Sequence, residues 1–242
     1  MSDFQTISDE AMAALRSVDT PTICNVIERF GVRPATAGYT DARIRACYPK
    51  LPPMVGYALT STFSAAEPPR EGINYAGIRP QMAALAAMPK PAVLVYQDLD
   101  DPPVAANLGE VMCTAYKTFG AVGLITSGAA RDLSEIERLE FPVFASGTIC
   151  SHGYPCIRSI NVPVRVGGLT VYAGDLIHGD RNGVTVIPTD IAEEVARACG
   201  AYYQAEAILL DYLRGNTAPS LDEFSQKLDA SKAAIKAVGP GR

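Results

Sequence analysis

The sequence predicts an α/β domain whose β-rich centre is closed at both ends by helices. Helical periodicity occupies the two ends, residues 8–31 and the stretch beyond 190. Between them, short apolar runs recur at 56–65, 91–98, 121–128, 141–147, 163–180 and 183–188, with glycine and proline punctuating them. Only two helical stretches, 78–88 and 110–120, interrupt those runs. The order is helix, mixed strands and helices, hairpin-rich strands, then helices. That describes a compact β core and not a regular doubly wound sheet.

Each element carries its own signals. Ser8 precedes the first helix, and Thr20 followed by Pro21 suggests a cap with proline in the first turn of the second. Gly31 is its stop. Asn107 and Glu110 form an N-x-x-E capping box for the helix at 110–120, although Gly109 could instead turn backbone N–H groups toward an anion. Asp132 with Glu135 makes a helix start after the run at 121–128. Asp190 with Glu193 and Ser220 with Glu223 open the two C-terminal helices, the first of which stops at Gly215.

At 242 residues the chain is long enough for one large domain or two small ones. No repeat or low-complexity linker divides it, so one domain is expected: N-terminal helices over 1–31, an α/β core over 32–189 and C-terminal helices over 190–242. A hydrophobic content of 48% with 19% charge is that of a globular core. The net charge of −5 without a Lys/Arg cluster argues against nucleic acid as a partner. No apolar run approaches a membrane span. The opening "MSDFQTISDE" lacks the basic and apolar regions of a secretory leader. The six cysteines follow no disulfide framework, and Cys150, His152 and Cys156 match no zinc-finger spacing. A reducing, cytoplasmic setting is expected.

Two places break the pattern of a bland core. On the long helix after 190, Ile191, Val195, Tyr202, Leu209 and Leu213 fall within about 40° of one another and make the apolar stripe. Glu193, Arg197, Asp211 and Arg214 lie away from it as solvent charges. Glu206 lies only about 40° from its centre. It either snorkels and pairs at the margin or aims a carboxylate into a site, in this subunit or a neighbour. The second break is "TSGAARDLSEI": Gly128, Ala129 and Ala130 lead into an adjacent Arg131 and Asp132. A helix start explains Asp132 but not Arg131, because a cation there opposes the helix dipole. The three small residues clear a space in which a guanidinium could grip a carboxylate. An arginine for the carboxylate beside an aspartate with oxygen ligands is the equipment of a Mg²⁺ or Mn²⁺ site.

The segments "GE" at 109–110, "GAVGLITSGAARD" at 120–132, "FPVF" at 141–144, "NVPVRVGGLTVYAGD" at 161–175 and "GDRNGVTVIP" at 179–188 together resemble one family. It is that of the 4-hydroxy-4-methyl-2-oxoglutarate / 4-carboxy-4-hydroxy-2-oxoadipate aldolases, which includes the regulators of ribonuclease activity A. The resemblance implies a compact α-β-β-α sandwich core with helical N- and C-terminal extensions. It also implies a homotrimer or dimer of trimers with sites between subunits, and a divalent ion, Mg²⁺ or Mn²⁺. Carried over by position, Arg131 orients the pyruvyl part of a small 2-oxo acid and Asp132 ligates the metal. The backbone of Leu108, Gly109, Val111 and Met112, with Glu110, holds the substrate carboxylate and the metal's water shell. Glu206 becomes the candidate for a C-terminal carboxylate facing a neighbouring subunit.

The implied reaction is cleavage of a 4-hydroxy-2-oxo dicarboxylic acid to pyruvate, with oxaloacetate decarboxylation through the same enolate. Glu110 or Glu206 would relay the 4-hydroxyl proton. No lysine has a context that calls for a Schiff base. Where the family often has Arg after "FPVFA" this chain has Ser146, and Arg158 is the candidate to supply that charge. The usual D-x-D-G reads Asp180, Arg181, Asn182, Gly183, and a common Asp is here Asn25. His178 is read as a surface position, and His152 as a loop histidine or one turned into a substrate pocket. The rival is a non-catalytic ribonuclease-binding regulator, but such relatives are shorter and lack the helix that carries Glu206. A methyltransferase reading fails because "GVRPATAGY" is no glycine-rich nucleotide loop.

Overall fold

The computed structural model describes residues 4–68 and 77–240. The outermost residues of the expected terminal segments, 1–3 and 241–242, lie outside them. Two short helices open the chain, α1 (Asp9–Arg16) and α2 (Thr20–Phe30). Ser8 caps α1 as expected, its hydroxyl accepting from the Ala11 N–H at 3.2 Å. The cap of α2 is Asp19 and not Thr20; its carboxylate accepts from the Thr22 N–H at 2.9 Å. Gly31 ends α2 in the left-handed conformation (φ 63°) that a glycine adopts without penalty.

The centre follows as β1 (Arg45–Ala46), β2 (Met54–Ser64), α3 (Ile78–Ala87), β3 (Ala92–Asp98), β4 (Ala106–Leu108), α4 (Glu110–Thr118), β5 (Ala121–Thr126), β6 (Ala129–Ala130), α5 (Leu133–Arg138), β7 (Val143–Ala145) and β8 (Gly147–Thr148). Then come β9 (Cys156–Ile160), the hairpin β10 (Val164–Val166) and β11 (Leu169–Val171), the hairpin β12 (Leu176–Asp180) and β13 (Gly183–Ile187), and the helices α6 (Ala192–Gly215) and α7 (Leu221–Lys236). The main sheet is eight-stranded, in the order β1-β7-β5-β3-β2-β12-β13, with β9 also paired to β2. Strands β2, β3, β5 and β7 are mutually parallel, while β1, β9, β12 and β13 run antiparallel to their neighbours. The fold is a mixed α/β sheet with helical extensions at both ends.

Both faces of the parallel strands are covered, so they read as near-continuous apolar runs. The period of two remains visible in what each face meets. Val55, Tyr57, Leu59, Leu94 and Tyr96 point to the helical side with Leu15, Ile23 and Val195. Met54, Ala58, Val93, Val95 and Ile125 point the other way, where β10–β11 forms a second β layer through Val164, Val166 and Val171. The β10–β11 turn is Gly167-Gly168, both at positive φ (53° and 78°), as a two-residue hairpin turn demands.

Each parallel strand of the β3, β5, β7 set continues, past its carboxyl end, into one strand of a small three-stranded sheet ordered β4-β6-β8. Its pairings are parallel, Ala106↔Ala129 and Ala130↔Thr148 among them. The sheet explains the small residues before Arg131. Ala129 and Ala130 are buried between neighbouring strands, and a Cβ on Gly128 would stand 2.4 Å from both Asn107 Nδ2 and Asp98 Oδ2. These residues are small for packing, not to clear space for a ligand.

The C-terminal helices depart from expectation at two points. The Asp190–Glu193 capping box does not form. Ile191 occupies the cap without a side-chain bond, and Glu193, expected in solvent, accepts from the Ser8 N–H at 2.6 Å and the Ser8 hydroxyl at 3.1 Å. The carboxylate is drawn to the open N-terminus of α1. The apolar stripe is buried at Val195 and Tyr202 but exposed at Leu213, where α6 meets α7. Ser220 caps α7 as expected, accepting from the Glu223 N–H at 3.2 Å.

His178 is fully buried, not superficial. Its Nε2 faces the Leu15 carbonyl at 3.0 Å and its Nδ1 faces the Thr20 hydroxyl at 2.9 Å. A carbonyl only accepts, so Nε2 carries the proton and Nδ1 accepts from Thr20. The neighbouring Asp180 accepts from the Thr20 N–H at 3.0 Å, so β12 fixes the joint between α1 and α2. Burial holds the His178 pKa below its ordinary value and pushes that of Asp98, another buried group, up to about 6. The two act oppositely on stability. The His178 contribution is complete above its unfolded pKa and is lost as pH falls below it. The Asp98 contribution is complete below pH ~4 and is lost as pH rises through about 6. Asp98→Asn should therefore stabilise the protein by on the order of 1 kcal/mol at pH 7.5, with the gain fading toward pH 4. His178→Asn should destabilise it, by less at pH 5.5 than at pH 7.5. Denaturant titrations at the stated pH values check both; pH-independent differences would refute the linkage.

Candidate active site

The carboxyl ends of parallel strands are where α/β folds place ligands, and Arg131 and Asp132 stand there. Pairing of β6 with β4 sets Arg131 against the end of β4, its N–H reaching the Leu108 carbonyl at 3.3 Å. The next residue, Gly109, is extended and opens α4 without a side-chain cap. A Cβ on Gly109 would stand 2.6 Å from Asp132 Oδ2 and 3.1 Å from Arg131 Nε. The absent side chain is thus what lets the carboxylate and the guanidinium reach the start of α4.

The expected Asn107–Glu110 capping box does not exist. Asn107 lies inside β4, with Nδ2 donating to the Thr126 hydroxyl at 2.7 Å. The donor at the start of α4 is met instead from another element: the Glu110 N–H donates to Asp132 Oδ2 at 3.1 Å. Asp132 does occupy the cap position of α5, but in the left-handed conformation (φ 55°) and without capping it. A non-glycine residue held there costs on the order of 1 kcal/mol. The strain aims the carboxylate at α4. The Arg131 Nε lies 3.8 Å from Asp132 Oδ2, and both side chains are about one-third exposed, a loose pair rather than a locked one.

Both contacts of Asp132 fall on Oδ2, which leaves Oδ1 as a hard oxygen donor for a cation. Among the described residues no three His, Cys, Asp or Glu side chains gather as a metal cage. One carboxylate with an open shell suits an ion such as Mg²⁺, which takes few protein carboxylates and keeps several waters.

A cavity of about 360 Å³ opens at this point, lined by Arg131 and by Leu108, Gly109, Val111 and Met112. The amides of Val111 and Met112, in the first turn of α4, have no acceptor within the helix, so the cavity meets a helix N-terminus with donors available for an anion. Its deeper wall holds residues that the sequence did not mark. Tyr96 and Tyr116 sit there with hydroxyls 2.6 Å apart, each within hydrogen-bond distance of Gln81 Oε1 at 3.0 and 2.9 Å, so two protons are shared among the three oxygens. Gln81 in turn donates to the Ser61 hydroxyl at 3.1 Å. The buried Asn107 also lines the cavity, and its Oδ1 has no partner among the described residues. Polar residues inside otherwise apolar segments, Tyr96 in "VLVYQD" and Gln81 in "RPQMAAL", were the available signal.

Other candidates lie elsewhere or at the margin. Glu110 is exposed, and its backbone rather than its side chain holds Asp132. Glu206 is half-buried beside Tyr202, as is the variant position Asn25, and does not line the cavity of its own chain. Arg158 is exposed and donates to the Ser64 hydroxyl at 2.7 Å, and the Ser146 hydroxyl donates to the Gly128 carbonyl at 2.8 Å. Neither lines this cavity, so Arg158 does not stand in for the missing family arginine there. His152 is a loop residue that does line it.

The RraA-like family model, Aldolase/RraA, matches residues 20–186. The chain belongs to that family. A Halalkalibacterium halodurans protein named "Putative 4-hydroxy-4-methyl-2-oxoglutarate aldolase" is 38% identical over 117 residues, 47% of this chain and 56% of that protein. The chain spans about half the length of that relative, and of another of the same name from Azotobacter vinelandii. Among solved structures, an uncharacterized protein from Pseudomonas syringae pv. tomato superposes with a TM-score of 0.73 at 19% identity, over 93% of this chain and 97% of that one. Streptomyces coelicolor RraAS2, described as an unusual member of the RNase ES inhibitor RraA protein family, gives 0.66 at 24% identity, over 84% and 96%. At these identities the two structures speak for the fold alone. No helix among the described residues is long and apolar enough to cross a membrane.

Gly109→Ala tests the close approach. The added methyl group must displace Asp132 or the start of α4, so a loss of roughly 1–3 kcal/mol in denaturant stability is expected. An unchanged stability would mean that the carboxylate moves away freely.

Proposed function

We propose that this chain is a divalent-metal-dependent carbon–carbon lyase that cleaves a 4-hydroxy-2-oxo acid to pyruvate, with oxaloacetate decarboxylation as a second activity. The observation that carries the reading is the meeting of Arg131, Asp132 and the open N-terminus of α4 at a glycine too small to keep them apart. The names of the sequence relatives support it.

In this reading Arg131 and the amides of Val111 and Met112 hold the pyruvyl carboxylate, fixing the 2-oxo group over Asp132. Asp132 would hold Mg²⁺ or Mn²⁺, which would supply Lewis acidity for the developing enolate. Arg131 adds a fixed positive charge where the enolate develops. Glu110 at the mouth, or Glu206 presented by a neighbouring subunit of a homotrimer or dimer of trimers, receives the 4-hydroxyl proton through a water. The exposed Val111 and Leu133 beside the mouth, and Leu213 on α6, are apolar surface suited to such an assembly.

The test is pyruvate release from oxaloacetate and from 4-hydroxy-4-methyl-2-oxoglutarate, with Mg²⁺ and with a chelator. Metal-dependent release is expected. Arg131→Ala should lower it by roughly 10²–10³-fold while leaving the circular dichroism spectrum unchanged. A folded, metal-supplied protein silent with both substrates would favour the non-catalytic ribonuclease-binding regulator.

A further inference from the structure

We infer that the arm of the substrate beyond its 4-hydroxyl is apolar, an aryl or branched alkyl group, and not a second carboxylate. The inference rests on the lyase reading, since it takes Arg131 as the seat of the pyruvyl carboxylate. Among the described residues lining the cavity, Arg131 is the sole arginine or lysine. Once it is engaged, a second carboxylate finds no further arginine or lysine among the described lining residues of this chain. Neither Arg158 nor Ser146 lines the cavity.

The far wall is built to contact carbon. Phe63 and Ile157 face each other across the β2–β9 pairing, and Ile78 adds the start of α3. Phe63 stacks on Tyr96, with ring centroids 6.4 Å apart and planes 15° from parallel. The two tyrosines do not change this character, because their hydroxyls are already joined to each other and to Gln81. They offer the cavity ring surface, and solvating an anion there would mean breaking a buried, closed network. A carboxylate entering this space loses its hydration without a paired charge, whereas a ring or branched chain gains by leaving water.

The probe is 4-hydroxy-2-oxo-4-phenylbutanoate. Its C3–C4 bond breaks with both electrons passing to C3 and the 2-oxo oxygen as the enolate. The 4-hydroxyl proton leaves to the base, C4 departs as benzaldehyde, and C3 takes up a proton to give pyruvate. With Mg²⁺ present, its kcat/KM should exceed that of 4-hydroxy-4-methyl-2-oxoglutarate by roughly tenfold or more, and Ile157→Arg should shrink or reverse the ratio. Preference for the dicarboxylate overturns the inference and leaves the lyase reading intact. Pyruvate from none of these, nor from oxaloacetate, overturns the lyase reading. Calorimetric binding then decides the pocket separately. Phenylpyruvate bound tighter than 2-oxoglutarate sustains an apolar subsite, and equal or weaker binding rejects it. The same comparison serves if Ile157→Arg does not fold.

Discussion

The candidate site depends on one hydrogen bond between units distant in sequence: the first amide of α4 donates to a carboxylate that arrives from the start of α5. Three conditions must hold together for it to form. Residue 109 must lack a side chain, residue 132 must accept a left-handed backbone, and the short strands before each must pair in parallel. Aspartate tolerates that backbone better than most residues, because its short polar chain bonds locally. The strain is small beside the consequence, since the bond joins Asp132 to the start of α4 beside Arg131, which the β4–β6 pairing sets at the cavity.

The sheet supplies the reason that polar groups collect in this place. Strands buried on both faces leave little room for uncompensated polarity along their length. Polarity therefore concentrates past the carboxyl ends, where β4, β6 and β8 form a shelf for backbone pairing. The closed bonding of Tyr96, Tyr116, Gln81 and Ser61 shows how such groups persist deeper in the core. They satisfy one another and present only their apolar surfaces.

Much of this architecture was legible in the sequence. Strand and helix positions followed from apolar runs and punctuation, and Ser8, Gly31 and Ser220 acted at helix ends as their types suggest. The Arg131-Asp132 pair stood out because no helix-capping rule accounts for an arginine there. Three failures share a cause: each came from a local rule overridden by a partner distant in sequence. Asn107 did not cap α4 because Thr126 claims its amide. Glu193 did not cap α6 because Ser8 claims it, and His178 left the surface because Leu15 and Thr20 complete its bonds. Gly128, Ala129 and Ala130 were noticed correctly but for the wrong reason, since a strand pairing on both edges cannot be seen from one segment.

The cavity draws its two ends from separate parts of the chain. The anchor is composed of β4, α4 and β6, whereas the far wall comes from β2, β9 and the start of α3. No hydrogen bond of Arg131 or Asp132 reaches Phe63, Ile78 or Ile157. Substitutions on the wall can therefore accumulate without disturbing the geometry at the anchor. A lineage carrying this fold could reshape the cavity by drift at a few apolar positions while the contacts of Arg131, Asp132 and Gly109 stay in place.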